Sequence, residues 1–333
     1  MKVLITGGLG FIGSNLIRHL LAQSSDLQIT NVDNLSIGAN PDNLKHLEAP
    51  ARYRFIKGDI ADAALVTRLL RKHDVIINCA AETHVDRSIA NPRRFLRSNV
   101  LGAFTIFEAL RSSNPKAKMV HVSTDEVYGD ILEGSFSEGD RLKPSNPYSA
   151  SKSAADMFAL AYHRTYGIDL VITRCTNNFG PYQHPEKLIP KTIIQAFHEL
   201  PVPLYGSGKQ MRDWIHVLDH CEALRRVMEV GRPGEIYNIS TGEEISNIKV
   251  VESVLDIMEK PSDLMQFVED RPGHDRRYNL NSEKIRSELG WAPKYSFQEA
   301  LQATVKWYLE NRWWWRKQAT KKILDPTPWK RKW

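Results

Sequence analysis

Two adjacent carboxylates, Asp125 and Glu126, stand in the run Val122-Ser-Thr-Asp-Glu-Val-Tyr-Gly129, directly behind an apolar, β-rich segment that begins at Ala117 and ends at Ser123. Such a segment reads as a central strand of a parallel sheet. In open α/β sheets, ligands collect beyond the carboxyl ends of the strands. An acid and a base side by side there suit proton traffic at a substrate, because their mutual repulsion raises one pKa and separates a general acid from a general base. Two neighbours in a regular strand point to opposite faces, so the pair converges only if the ladder ends near Thr124. Taken alone, an Asp-Glu pair is more ordinarily a loop pair capping the next turn.

A second motif weighs against that ordinary reading. Tyr148-Ser-Ala-Ser-Lys152 puts Tyr and Lys on one helix face. An ammonium beside a phenol stabilises phenolate and lowers the Tyr pKa from about 10. Tyr148 can then take a proton from a carbinol as its hydride departs. Thr124 and Ser123, at the preceding strand end, supply hydroxyls to the same carbinol. Alone, the Tyr-Lys spacing is also met in ordinary surface helices.

The hydride acceptor is written into the start of the chain. Lys2-Val-Leu-Ile-Thr6 is a short apolar strand, followed by Gly7-Gly-Leu-Gly-Phe-Ile-Gly13 and a helical pattern through Leu16, Ile17, Leu20 and Leu21. Gly7, Gly10 and Gly13 serve a tight turn, close approach to a pyrophosphate and close helix–strand packing. The pyrophosphate belongs on the free N–H groups and positive dipole end of that helix. A second strand, Gln28-Ile-Thr-Asn-Val-Asp33, ends in an acid where the adenosine ribose hydroxyls should lie. Asn34-Leu35-Ser36 offers no Arg or Lys for a 2′-phosphate, so the expected cofactor is NAD rather than NADP.

These groups are positioned by alternating strands and helices. Strand patterns at 53–57, 74–79, 117–123 and 169–175 alternate with helical patterns through Leu65–Leu70, Phe95–Leu110 and onward from Pro147. That alternation predicts an α/β fold with a doubly wound parallel, Rossmann-type sheet. After residue 176, prolines at 181, 185, 190, 201 and 203 break the rhythm, and helical patterns follow at 216–229, 246–259 and 296–311. We therefore expect an NAD-binding domain over 1–176 and a smaller C-terminal mixed α/β substrate domain over 177–316. Elements near 213–240, such as the strand Glu235–Ile239, return to the main sheet. A basic tail, 317–333, closes the chain.

With 333 residues, of which 42% are hydrophobic, core is ample for a soluble enzyme. Cys79, Cys175 and Cys221 are odd in number and widely spaced, as buried free thiols in a reducing compartment would be. No segment approaches a membrane span, and the N-terminal strand and glycine loop are too broken for a signal peptide; the expected location is cytoplasmic. Residues 312–333 carry eight Lys or Arg and one Asp, so the other 311 residues sum to −1 although the whole chain stands at +6. That tail also holds Trp313, Trp314, Trp315, Trp329 and Trp333. Basic residues among aromatics can meet nucleic acid or an anionic surface, yet no binding motif supports either partner. The expectation is a C-terminal helix whose Trp cluster packs on the body, then a solvated extension. No His, Cys and carboxylate cluster has metal-ligand spacing, so no metal is expected.

The glycine loop, Asp59-Ile60, Tyr148-x-x-x-Lys152 and the strand rhythm resemble the extended short-chain dehydrogenase/reductase family. Within it, the chain is similar to the dTDP-glucose 4,6-dehydratases, through Ala80-Ala-Glu-Thr-His-Val-Asp-Arg-Ser88, Ser123–Gly129, Asn177-Asn-Phe-Gly-Pro-Tyr182, Pro185-Glu-Lys-Leu-Ile-Pro190, Arg212-Asp-Trp214 and Arg271-Pro-Gly-His-Asp-Arg-Arg277. The match runs from residue 1 to about 316. The resemblance implies NAD, a nucleotide-sugar substrate (dTDP-glucose) and a homodimer. It implies Thr124, Asp125, Glu126, Tyr148 and Lys152 as the catalytic set, with Glu126 removing the C5 proton and Asp125 protonating the departing C6 hydroxyl. It assigns Phe11, Ile12, Asn34, Ser36, Asp59, Ile60, Ala80, Ala81, Thr83, Ser98 and Asn178 to the cofactor, beside the three glycines, Asp33, Tyr148 and Lys152. To the substrate it assigns His84, Thr124, Asn177, Lys187, Leu188, Arg212, Asn247, Arg271 and His274, with Pro203, Leu204 and Tyr205 against the base. Pairing is expected through the helices at 95–110 and 148–162, with Phe95, Val100, Phe104, Phe107, Phe158 and Tyr162 on the shared face. Two alternatives stay open: another nucleotide-sugar 4,6-dehydratase or a C4 epimerase, and a non-catalytic NAD-binding regulator.

Overall fold

In the computed structural model, which describes residues 1–333, twelve strands and their helices surround two sides of one cleft. The strands are β1 (Lys2–Thr6), β2 (Gln28–Asp33), β3 (Tyr53–Lys57), β4 (Val75–Asn78), β5 (Lys118–Thr124), β6 (Leu170–Cys175), β7 (Asn177–Phe179), β8 (Val202–Tyr205), β9 (Met211–His216), β10 (Ile236–Ile239), β11 (Glu244–Ser246) and β12 (Met265–Val268). Seven of them form one sheet in the order β10-β6-β5-β4-β1-β2-β3, and every pairing in it is parallel. The order reverses between β1 and β4, which opens a crevice at their carboxyl ends. The chain thus fills both faces of the sheet. Leu16, Ile17, Leu20, Val120, Val171 and Leu224 pack on one side, and Val66, Leu70, Ile106, Phe107, Met119 and Ile172 on the other. Strands buried on both faces need continuous apolar runs, and Val75–Asn78 and Leu170–Cys175 are buried at every position.

The smaller half joins a three-stranded sheet, β11-β9-β7, to the parallel pair β12-β8. Helices Leu188–Phe197, Asn247–Ile257 and Phe297–Glu310 cover them. Phe179, Trp214, Leu301, Trp314 and Trp315 form their shared core. Late in the chain β10 goes back to the large sheet and pairs with β6.

Two sequence expectations need correction. The helix over 95–110 is not uniform: residues Leu96–Gly102 make a π-helical stretch before Ala103–Ser113 resumes the α form. A π turn advances the phase by one residue, so faces read at a 3.6-residue period shift. Phe95, Phe107 and Tyr162, expected on the shared face, are buried within the subunit, Phe95 against Tyr148 and Phe107 against Tyr162. The exposed apolar residues of these two helices are Leu96, Leu101, Met157, Phe158 and Tyr166. The tail, likewise, is not a solvated extension. Trp329 is buried against Tyr205 with ring centres 5.0 Å apart. The carbonyl of Asp325 accepts from Lys191 at 3.0 Å, and that of Trp333 accepts from Asn91 at 3.2 Å. Aromatic burial and these bonds hold a segment whose charge alone suggested solvent.

Candidate active site

The glycine loop owes its shape to contacts that exclude a side chain. Gly7 has φ +70°, and a Cβ there would stand 2.6 Å from the Ala80 Cα. A Cβ on Gly13 would stand 2.4 Å from the Gly7 carbonyl oxygen. The helix Phe11–Gln23 that follows has no side-chain cap and no acid in its first turn, so its leading N–H groups remain for an anion. Asp33 ends β2 under this loop, accepting from Leu9 N at 3.0 Å and Leu35 N at 2.9 Å. A cradle that a Cβ would fill, an uncapped helix end and a carboxylate at the next strand end fit a dinucleotide.

β5 ends at Thr124, and Asp125–Val127 is a 3-10 turn. The Thr124 hydroxyl donates to Asp125 Oδ1 at 2.9 Å. Leaving the ladder here turns both carboxylates into the cleft, where Asp125 Oδ2 and Glu126 Oε2 have no partner within the chain. Burial, and then the Glu126 charge, pushes the Asp125 carboxyl up to about 7. Burial also raises Glu126, but Arg271 and Arg212 favour its carboxylate. Of the two, Asp125 is the one placed to hold a proton and Glu126 the one whose charge has cationic neighbours.

Tyr148 lies in the first turn of the helix Pro147–Tyr166, which starts at a capping box between Asn146 and Ser149 with Pro147 at its first position. Its backbone N–H donates to Ser88 at 3.1 Å and its ring meets Phe95. The fold does not give the expected lowering of the Tyr148 pKa. Burial and the Glu126 charge raise it, while Lys152 turns its ammonium to the Val122 carbonyl at 2.7 Å.

The side of the cleft away from the glycine loop is a charged wall held by Asp86. Its carboxylate accepts from Arg271 at 2.9 Å and from the Tyr205 hydroxyl at 2.9 Å. Burial alone would raise Asp86, yet it is held at about 2. His84, itself pushed down to about 4 by burial, is charged at the pH where Asp86 titrates, and its charge, then Arg271 and the Tyr205 hydroxyl, outweigh burial. Arg212 lies over the Tyr278 ring at 4.2 Å and donates to the Asp275 carbonyl at 2.8 Å. Arg87 bridges Glu82 at 3.6 Å and Glu186 at 3.1 Å behind this wall.

Of the residues expected at the site, all but Asp59 and Lys152 line one continuous cleft. Asp59 caps its own turn at Ala61 N and pairs with Arg97 at 3.1 Å. Sequence reasoning missed Asp86, Glu186 and Tyr278. Asp86 carried a signal, as an acid two residues after His84 in a chain rich in cationic site residues; Tyr278 carried none.

A dinucleotide cradle opening onto an acid–base pair and a cationic wall defines an oxidoreductase-type site for an anionic substrate. The family model described as GDP-mannose 4,6 dehydratase matches residues 4–304. A dTDP-glucose 4,6-dehydratase of Streptomyces niveus is 46% identical over 319 residues, covering 95% of each chain. The crystal structure of DesIV (dTDP-glucose 4,6-dehydratase) from Streptomyces venezuelae, with NAD and TYD bound, has a TM-score of 0.93 at 46% identity, covering 96% of this chain and 100% of that one. The Thermus thermophilus UDP-glucose 4-epimerase complex with NAD has a TM-score of 0.86 at 31% identity, covering 93% and 100%. The chain belongs to the extended short-chain dehydrogenase/reductase family and, within it, to the dTDP-glucose 4,6-dehydratase family.

Proposed function

We propose that this chain uses NAD to convert dTDP-glucose to the 4-keto-6-deoxy sugar by C4 oxidation, loss of water across C5 and C6, and reduction at C6. The observation that carries the reading is Asp125 beside Glu126, both with a free oxygen in the cleft that Tyr148 also lines. Bound in the glycine cradle above Asp33, NAD would supply the hydride acceptor for C4 and the donor for C6, and its positive ring would favour the Tyr148 phenolate. Tyr148 takes the C4 hydroxyl proton, with Thr124 as the second hydroxyl at that carbon. The C4 ketone acidifies the C5 proton, which Glu126 removes. Asp125, protonated near neutral pH, gives its proton to the departing C6 hydroxyl. Gly7, Gly10, Gly13 and Asp33 hold the dinucleotide. Arg271, Arg212 and Lys187 face the pyrophosphate, and Pro203, Leu204 and Tyr205 the base. A C4 epimerase needs no acid at C6, so Asp125 favours elimination.

The reading includes a homodimer and a cytoplasmic location. Exposed Leu96, Leu101, Met157 and Phe158 on two adjacent helices support the first. Three free cysteines support the second, and no helix is long and apolar enough to cross a membrane. The test is incubation with dTDP-, UDP- and CDP-glucose and GDP-mannose, followed by the alkali-induced absorbance of a 4-keto-6-deoxy sugar. Product is expected from dTDP-glucose; none from any substrate overturns the reading. Light scattering at micromolar concentration should give twice the 38.0 kDa chain mass.

A further inference from the structure

The Trp-rich segment behind the last long helix reaches the cofactor loop through one side chain. Trp314 is buried, and its indole N–H donates to Asn43 Oδ1 at 2.7 Å, across 271 residues of sequence. Its ring is wedged against Trp307, Tyr182 and Tyr308, with centres 5.2, 5.7 and 6.1 Å away. Asn43, also buried, passes the contact on. Its amide nitrogen donates to the Leu9 carbonyl at 2.9 Å. Leu9 lies between Gly8 and Gly10, and its own N–H donates to Asp33 at 3.0 Å. Arg18 fixes the Asn43 backbone, donating to its carbonyl from Nε and Nη2 at 3.0 and 2.8 Å, while its guanidinium lies over the Tyr182 ring at 5.1 Å.

A buried amide with one acceptor and one donor engaged has a single orientation that satisfies both. Asn43 is therefore locked by Trp314 from the smaller half and in turn locks Leu9 in the glycine loop. Trp315, also buried, settles its indole N–H on the Tyr308 carbonyl of the preceding helix instead, so burial of an indole does not by itself require this long reach. We propose that Trp314 and Asn43 form a latch between the two halves, which holds the glycine loop in its dinucleotide-binding shape and slows loss of NAD. This rests on the dinucleotide reading of that loop. The reaction gives the latch a purpose: a hydride removed at C4 must be returned at C6, so cofactor lost between the two steps ends the turnover. Both are positioning residues, acting through Leu9.

The test compares the full chain with Trp314→Phe, which keeps an aromatic ring and deletes the N–H donor. NAD content is measured after gel filtration in cofactor-free buffer, and NAD and dTDP affinities by calorimetry on stripped protein. The expected result is an NAD Kd raised about tenfold, as for one lost hydrogen bond, less NAD retained, and dTDP affinity changed by less than about twofold. An unchanged NAD Kd, or an equal loss for dTDP, overturns the latch. Asn43→Ala leaves the indole in place and breaks the link at its other end, so it decides the matter if Trp314→Phe folds poorly. The double variant should lose no more NAD affinity than Asn43→Ala alone; additive losses overturn the chain of contacts. If the parent retains NAD yet forms no product from any nucleotide sugar, the proposed reaction fails while the latch stands. A parent that binds no NAD removes both.

Discussion

Replacing Asp125 by Asn should make the chain more stable at neutral pH while abolishing dehydration. The Asp125 carboxyl titrates near 7 in the fold against about 3.9 in an unfolded chain. Its folded pKa is raised, so the native state binds a proton that the unfolded state has lost between these two values. Stability therefore falls as pH rises from about 4 through about 7, by about 4 kcal/mol in all. Asn carries no charge and escapes that loss. It keeps the acceptor for the Thr124 hydroxyl, but puts an NH2 where Oδ2 has no partner, at a cost of about 1–3 kcal/mol. The variant should thus be less stable than the parent near pH 4 and more stable by about 1–3 kcal/mol at pH 8. With an unfolding entropy of about 0.7 kcal/mol/K for a chain of this length, the difference in Tm should swing by about 6 °C and change sign. Thermal unfolding of both proteins, stripped of cofactor, between pH 4 and 8 measures this directly. A Tm difference that stays constant over that range would show that Asp125 holds no proton at neutral pH, and the role of general acid would fall with it.

Glu126→Gln should lower turnover by about 10²–10⁴ and abolish solvent deuterium entry at C5 of recovered sugar, read by mass spectrometry in heavy water; normal C5 exchange would assign the base elsewhere. Asp125→Asn should keep that exchange in the substrate while forming no product, and Tyr148→Phe should lose both, because C5 becomes acidic only after oxidation at C4. Gly13→Ala should purify without NAD, since its Cβ would meet the Gly7 carbonyl oxygen at 2.4 Å; full NAD content would refute the loop geometry. Asp86→Asn, which weakens the hold on Arg271 and Tyr205, should raise the KM for dTDP-glucose about tenfold or more with a smaller change in kcat, and an unchanged KM would separate that wall from substrate binding.

Local pattern carried the dinucleotide half and the chemical pair. The glycines at 7, 10 and 13, the acid ending β2 and the strand rhythm are short-range signals, each tied to a backbone requirement of a few residues. Asp125 and Glu126 were readable because they follow an apolar strand, and Tyr148 and Lys152 because 3.6 residues per turn stacks positions four apart. Where the ammonium of Lys152 points was not readable. Its bond to the Val122 carbonyl and the rise in the Tyr148 pKa come from burial among neighbours that lie far off in sequence. The π turn at Leu96–Gly102 was not readable either, because an α-helical period cannot register it. Asp86 meets Arg271 across 185 residues, and Trp314 meets Asn43 across 271. In the tail, Trp314 and Trp315 pack on the body as expected, but the extension after them, for which composition suggested solvent, is held down through buried Trp329. Sequence alone determined which carboxylates, phenol and glycine loop the protein brings to the cleft. Tertiary structure decided their charge states and which distant residues hold them, because desolvation and pairing depend on the contacts that only the folded chain makes.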